Sequence, residues 1–258
     1  MLDSLKVSLL VRTVGLSSFG DARVEYGADL ITTRAYIPSL NLEVPIIPGT
    51  QIKGILRTIA SLIHDVLAER NIISWNVEAF RVCRGSLKNP CHKCLVCTIF
   101  GSPGSPQAPL HVSNFYPVRE DRVEEVMKEG LVNALRNPNY WYIPKTIFIS
   151  RIRIDDSSGT VYPGALYTYE HLYPGTLFYG EVTIHRNLLA NVVGVENLDR
   201  VYVESSILIL ASIAQLNYTS IGRNSLCLCR VLSIEPENLR QNRYVELILR
   251  GLEEAEEI

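Results

Sequence analysis

The sequence predicts an α+β fold in which a sheet is backed by two long helices. Three observations lead there. Residues 6–14, 176–186 and 225–234 have the β-branched, partly alternating character of strands. Residues 50–70 and 203–216 carry the longest helical patterns. The order strand, helix, strands, helix, strand is that of a ferredoxin-like sandwich.

After the first strand, residues 15–29 form a polar, glycine-punctuated loop carrying Arg23, Glu25 and Asp29. Residues 30–37 read as extended, with Arg34 exposed. Pro48 and Gly49 then make a turn, because Pro presets φ and Gly takes conformations other residues resist. Thr50 is the expected N-cap of the first long helix, its hydroxyl accepting from an orphan helical N–H. Ile52, Ile55, Leu56, Ile59, Leu62, Ile63, Val66 and Leu67 recur at three- and four-residue steps, one buried stripe running to about Arg70.

Residues 80–109 hold four of the six cysteines among many Gly and Pro residues, which predicts an insertion and not a core element. A short helix is expected over 124–136 despite Gly130. Residues 146–154 end in isoleucines set among arginines, 155–159 turn through Asp155 and Asp156, and 160–169 return. That describes a basic, aromatic hairpin, either projecting from the domain or lying as an ordinary edge. Residues 203–216 are apolar almost all round, so the second long helix is expected to be buried. Residues 220–224 stop it and contain Arg223. Residues 243–250 are expected as a further β-prone piece.

At 258 residues, 47% hydrophobic and 20% charged, the chain is ordinary globular material, one large domain or a domain with insertions. A formal charge of −2 excludes a generic polycation, so any nucleic-acid site is a local patch. The apolar block at 207–213 is too short to span a bilayer, and the first residues lack a signal-peptide pattern. Together these predict a cytoplasmic protein with no membrane partner.

Cys83, Cys91, Cys94 and Cys97 form the pattern C-x7-C-x2-C-x2-C. Thiolates at such steps converge on one metal, and four close a tetrahedral structural zinc site. His92 or His111 is the alternative ligand, and unmetallated or disulfide-linked cysteines are the alternative to a metal. Cys227 and Cys229 share one face of the last strand and read as buried core thiols.

Lys53 and Arg57 lie four apart in the first two turns of the first helix, where the macrodipole disfavours cations. Gly54 inside that helix costs about 1 kcal/mol relative to Ala. A turn, free N–H groups, two such cations and a glycine make a phosphate-binding helix start. The same pattern also fits a surface helix with two solvated cations and an incidental glycine. No Ser-His-Asp arrangement, nucleophile elbow, Walker or Rossmann pattern is present, and the five histidines are scattered. Asp29 is the carboxylate placed to hold Mg²⁺ or take a hydroxyl proton beside a bound phosphate, and its other reading is a turn or capping residue.

The stretch Ile47-Pro48-Gly49-Thr50-Gln51-Ile52-Lys53-Gly54-Ile55-Leu56-Arg57 resembles the IPG-[ST]-x-[IL]-KG-x-[LIM]-R signature of the RAMP superfamily of CRISPR-associated proteins. Within it, the likeness is to backbone subunits of type III (Csm and Cmr) effector complexes. Cys94-Leu95-Val96-Cys97-Thr98-Ile99-Phe100-Gly101 resembles the family's Cys-x-x-[IVL]-FG segment. Residues 154–160, 166–170 and 174–178 resemble its "ID…TG…E…GT-x-F" stretch, and Ile221-Gly222 sits where its glycine-rich loop begins. The resemblance spans roughly residues 5–234.

That resemblance implies one domain over 1–258 with a modified RNA-recognition-motif (ferredoxin-like) core. The core would occupy about 5–70 and 176–250, with a zinc-stapled cysteine-rich insertion at about 80–142 and a projecting β-hairpin thumb at about 146–175. It implies guide CRISPR RNA held by Thr50, Lys53, Gly54 and Arg57, with Arg34 and Arg223. Copies would stack in a filament along that RNA beside other effector subunits. It further implies endoribonuclease cleavage of guide-paired target RNA, with Asp29 as the catalytic carboxylate and Mg²⁺ or another divalent ion. Two departures keep a non-catalytic RNA-binding and assembly paralogue as the second reading. Leu30-Ile31-Thr32-Thr33-Arg34 matches the family's short p-x-x-R run only at Arg34, and the glycine loop is reduced to Gly222-Arg223-Asn224-Ser225.

Overall fold

Alternation along the first strand sorts its side chains onto two faces. In β1 (Leu5–Thr13), Leu5, Val7, Leu9 and Val11 are fully buried on one side, and Lys6, Leu10 and Arg12 lie on the other. A computed structural model describes residues 4–21, 29–105, 107–154, 157–222 and 225–254. Two short ribbons follow β1: β2 (Gly20–Asp21) with β3 (Ile31–Thr32), and β4 (Arg34–Ile37) with β5 (Leu42–Pro45). Next comes α1 (Gly49–Glu69). The middle of the chain holds α2 (Val77–Cys83), α3 (Leu95–Phe100), β6 (Leu110–Val112), β7 (Tyr116–Pro117), α4 (Val123–Glu129) and α5 (Leu131–Ala134). A hairpin of β8 (Thr146–Ile154) and β9 (Val161–Leu172) precedes β10 (Leu177–Ile184), α6 (Arg186–Val193), α7 (Leu198–Ala214), β11 (Cys227–Glu235) and α8 (Arg243–Glu254).

The principal sheet runs β11-β1-β10-β6, with β7 also on β10, and every pairing is antiparallel. Its two faces are covered differently. The face carrying Leu5, Val7, Leu9 and Val11 packs with Ile52, Leu56 and Ile59 of α1 and with Ile207, Leu208 and Leu210 of α7. On the other face Leu10 meets a second core of Ile37, Val44, Val126, Leu131 and Trp141, supplied by the β4–β5 ribbon, α4, α5 and the segment after them. Buried Glu204 of α7 accepts from the Ser74 hydroxyl at 2.7 Å and from the N–H groups of Ser74 and Trp75, tying the turn beyond α1 to α7.

The strands at 6–14, 176–186 and 225–234 and the first long helix form about where the sequence puts them. The second long helix, expected over 203–216, runs Leu198–Ala214, and several other expectations need correction. The N-cap of α1 is Pro48, with no side-chain cap, and Thr50 is already helical. The Gly49 N–H donates instead to Asn114 Oδ1 at 3.0 Å, so a tertiary partner does the work of a capping side chain. Residues 80–109 are not peripheral, because Cys94 through Phe100 are all buried in the first core. β6 and β7, inside the stretch expected as insertion, are strands of the principal sheet. The helix expected over 124–136 is split into α4 and α5 by Gly130, whose φ is 75°.

Residues 243–250 belong to helix α8 and not to a strand. Val245 and Leu252, two helical turns apart, are buried, and Ile248 packs against the first core between them. The expected turn at Asp155 and Asp156 lies outside the described residues. The strands flanking it pair from Thr146↔Leu172 to Ile154↔Val161, a two-stranded sheet of its own. Among the described residues no helix is long and apolar enough to cross a membrane.

Gly49 is where α1 meets the end of β6 most closely. A Cβ there would lie 2.3 Å from the Val112 carbonyl oxygen and 2.5 Å from that of Ser113, both backbone atoms. Gly49→Ala is therefore expected to destabilise the fold by about 2 kcal/mol or more, read as a lower urea midpoint. An unchanged midpoint would contradict this close approach.

Candidate functional site

The four clustered cysteines are brought together by tight local turns. α2 ends at Cys83, and the chain reverses through Arg84 and Gly85, with φ of 45° and 69°. Cys94 caps α3, its sulfur accepting from the Cys97 N–H. Cys83 Sγ consequently lies 3.3 Å from that of Cys91, 3.5 Å from Cys94 and 3.9 Å from Cys97, and the four sulfurs lie within 4.8 Å of one another. These contacts are too long for disulfides, whose bond is about 2.05 Å, and all six cysteines are free. Zinc–thiolate bonds of about 2.3 Å in a tetrahedron imply sulfur–sulfur edges of about 3.8 Å, so these four residues fit that ion.

Backbone donors support the thiolates. The N–H groups of Gly85, Cys94 and Cys97 reach the sulfurs of Cys83, Cys91 and Cys94 at 3.4, 3.2 and 3.4 Å. The hydrogen bond from Cys94 leads in holding the Cys97 thiol down to about 5, and the same bond, with burial, pushes Cys94 up. A donor set of four clustered sulfurs suits a thiophilic ion. Neither alternative ligand joins the cluster. His92 is exposed, its Nδ1 bonded to Ser102 Oγ at 2.8 Å, and His111 is exposed on β6, its ring beside that of His185. Cys227 and Cys229 are buried core thiols on β11, and burial pushes Cys227 up to about 12.

The two cations at the start of α1 have acceptors inside the chain. Lys53 Nζ donates to the Leu110 carbonyl at 2.8 Å, and burial, followed by the neighbouring Arg57 charge, lowers its pKa. Arg57 donates Nη1 to Gly101 O at 2.6 Å and both Nη2 and Nε to Gly85 O at 3.1 and 3.3 Å, with Phe100 beneath its guanidinium at 5.9 Å. Carbonyl dipoles from β6 and the cysteine segment thus offset the unfavourable macrodipole. Thr50 and Gly54 are exposed, and a Cβ on Gly54 would meet nothing within 4 Å. No neighbour among the described residues requires glycine there.

The predicted glycine loop also packs on this helix start. Gly222, at φ 105°, packs so closely that a Cβ would lie 2.7 Å from Ser18 O and 3.3 Å from Gln51 Nε2. Ser18 N–H donates to Ser225 Oγ at 3.0 Å, which closes the loop against residues 17–19. Arg223 lies outside the described residues.

Asp29 sits at the root of the hairpin. It is exposed, its Oδ2 accepts from the Thr168 N–H at 2.6 Å, and its own N–H donates to Thr168 O at 2.8 Å. Oδ1 has no partner among the described residues. Pairing continues at Leu30, which bridges to Tyr169 and accepts from Glu170 N–H. Glu170, 1% exposed, then accepts from Thr32 N–H at 3.0 Å and from Arg34 Nη2 at 2.5 Å. Arg34, expected exposed, is half-buried in that ion pair. In the sequence Glu170 stands out only as the glutamate of the family-like stretch at 166–170, and nothing local separates a buried glutamate on a strand from a solvated one.

A model of the RAMP superfamily matches residues 34–225, most of the chain. No curated protein matches it. Among solved structures, a cryo-EM structure described as the type III-B Cmr-beta bound to cognate target RNA is 12% identical. That match covers 74% of this chain and 89% of the other, with a TM-score of 0.40. The type III-B Cmr-beta in the apo state is also 12% identical, over 69% of this chain and 83% of the other, with a TM-score of 0.41.

The cysteine geometry predicts about one zinc per purified chain, measurable by elemental analysis. Cys94→Ser is expected to lower zinc retention at least about 10-fold and to lower Tm. Full-strength zinc binding by this variant would remove Cys94 from the ligand set.

Proposed function

The chain belongs to the RAMP superfamily, and from that premise we propose that it is a CRISPR RNA-binding backbone subunit of a type III effector complex. In this reading it cleaves guide-paired target RNA at Asp29. The observation that carries the chemistry is the fixed, exposed carboxylate at the hairpin root, with Oδ2 engaged by Thr168 N–H and Oδ1 facing no protein partner among the described residues. A single carboxylate suits Mg²⁺, which keeps waters and takes further ligands from substrate phosphates. Asp29 and the RNA phosphates would hold the ion, whose chemistry is to stabilise negative charge on the scissile group. The alternative role for the same Oδ1 oxygen is to accept a proton from a 2′-hydroxyl.

The strand order β11-β1-β10-β6, with α1 and α7 packed on one face, supports an RNA-recognition-type core. The separate β8–β9 sheet, with Phe148, Ile152, Ile154 and Leu166 exposed, supports a thumb. The proposed guide-facing surface is the exposed side of α1 at Thr50 and Gly54, with Lys53 and Arg57 contributing positive potential from beneath. Arg34, beside the hairpin, belongs to it in this reading, as does Arg223, which lies outside the described residues. Guide contacts of this kind position the backbone without reading bases. Target RNA, other effector subunits and further copies of the chain are the proposed partners. A non-catalytic assembly subunit is the second reading, favoured by the fact that the Asp29 carboxylate also has a structural bond to the hairpin.

In a reconstituted complex, Asp29→Asn keeps an oxygen for Thr168 N–H and removes the charge. It is expected to lower cutting opposite this subunit by about 100-fold or more with target binding unchanged. Wild-type complex that cuts at no such position with Mg²⁺ or Mn²⁺ selects the second reading. Gly54→Ala separates folding from binding. It is expected to stabilise the free chain by about 1 kcal/mol while weakening guide RNA retention, because a methyl group intrudes where a phosphate backbone packs. Undiminished retention would count against that surface.

A further inference from the structure

Arg57 contacts the cysteine segment at both of its ends. Its guanidinium bonds Gly85 O, two residues after Cys83, and Gly101 O, four residues after Cys97. We propose that Arg57 is a positioning residue of the four-cysteine metal site, so that metal binding and the placement of this side chain on α1 form one linked equilibrium. The proposal rests on the zinc reading of the cluster.

Gly85 connects the two groups directly. Its N–H donates to Cys83 Sγ at 3.4 Å while its carbonyl accepts from Arg57. The Cys83 sulfur thus fixes the peptide before Gly85 and the guanidinium fixes the peptide after it, so the two groups hold one residue from both sides. Gly85 is also pressed onto α1, since a Cβ there would lie 2.3 Å from Ser61 Oγ and 3.2 Å from Val96 Cγ1. Glycine at φ 69° favours this close approach of the loop to the guanidinium. At the other end Gly101, at φ 75°, donates its N–H to Cys97 O and presents its carbonyl to Arg57. The geometry is that of a fork holding two loop ends at a set separation, which a single-point ammonium cannot reproduce.

Charge points the same way. Four thiolates around a divalent zinc carry a net charge of about −2. The half-buried Arg57 places a permanent cation against the two peptides flanking that charge. Groups that orient metal ligands from behind in this manner change metal affinity and the spectrum of the bound ion, and not only the stability of the fold. By linkage, whatever the ion contributes to ordering Gly85 and Gly101 is returned as ordering of Arg57 on the proposed guide-facing helix.

The test uses the full chain as wild type, Arg57→Gln and Arg57→Lys. It measures zinc affinity by chelator competition, the Tm of metal-free and zinc-loaded forms, and the thiolate-to-metal charge-transfer band after Co²⁺ substitution. The expected result is a 10- to 100-fold loss of zinc affinity in Arg57→Gln. A smaller loss in Arg57→Lys, a reduced zinc-induced rise in Tm and a displaced Co²⁺ band should accompany it. Both variants binding zinc with wild-type affinity and spectrum, while losing Tm equally in both forms, would make Arg57 a plain structural brace and overturn the proposal. If Arg57→Gln does not fold, Arg57→Lys decides alone by the same readings. Wild-type protein that binds no zinc would instead remove the metal reading beneath it.

Discussion

β1 is paired on both edges and covered on both faces, and that double constraint governs the rest of the molecule. Its edges are taken by β10 and β11, so neither is free to slip without exposing a buried row. One face seats α1 and α7, and the other seats the β4–β5 ribbon with α4 and α5. α1 must therefore begin where β1 and β6 allow it. The backbone contact at Gly49, its N–H bond to Asn114 and the Ile47–Phe115 bridge set that point. The candidate surfaces hang from this frame: the glycine loop at Gln51, the cysteine segment at Arg57 and the hairpin root at residues 29–34.

The cations of the candidate site mostly bond inward. Lys53 and Arg57 answer carbonyls, and Arg34 answers a carboxylate that is almost wholly buried. Isolated buried ion pairs seldom raise stability, because desolvation offsets attraction. The gain at Arg34–Glu170 is better understood as placement: together with the Thr32 N–H bond it locks the Asp29 segment to the hairpin. The chain's net charge of −2 is compatible with RNA binding in these terms. A few cations held in place by carbonyls create a local field that composition does not reveal.

Two glycines five residues apart on α1 illustrate how function is separated from folding. Gly49 is required by the chain itself, since a methyl group there strikes backbone oxygens. Gly54 is not, since the space beside it is open. A helix-interior glycine with no neighbour to accommodate among the described residues is a cost without a folding return, and under the proposed function a partner's close approach would give it a reason.

Sequence alone determined what depends on neighbours along the chain. β-branched, partly alternating runs set β1, β10 and β11, a period near 3.6 set α1, and a nearly continuous apolar run set most of α7. The cysteine steps set the ligand candidates, and the 47–57 signature set the family. Tertiary structure decided what depends on residues far apart. The VELIL run of α8 looks β-prone until Val245 and Leu252 are seen to need one buried face. His92 and His111 have the chemistry of ligands, yet only packing shows them outside the sulfur cluster. Arg57 has the look of a phosphate ligand because its acceptors lie 28 and 44 residues away. Local pattern reports which atoms a segment offers, and only the folded chain determines which of them are already engaged.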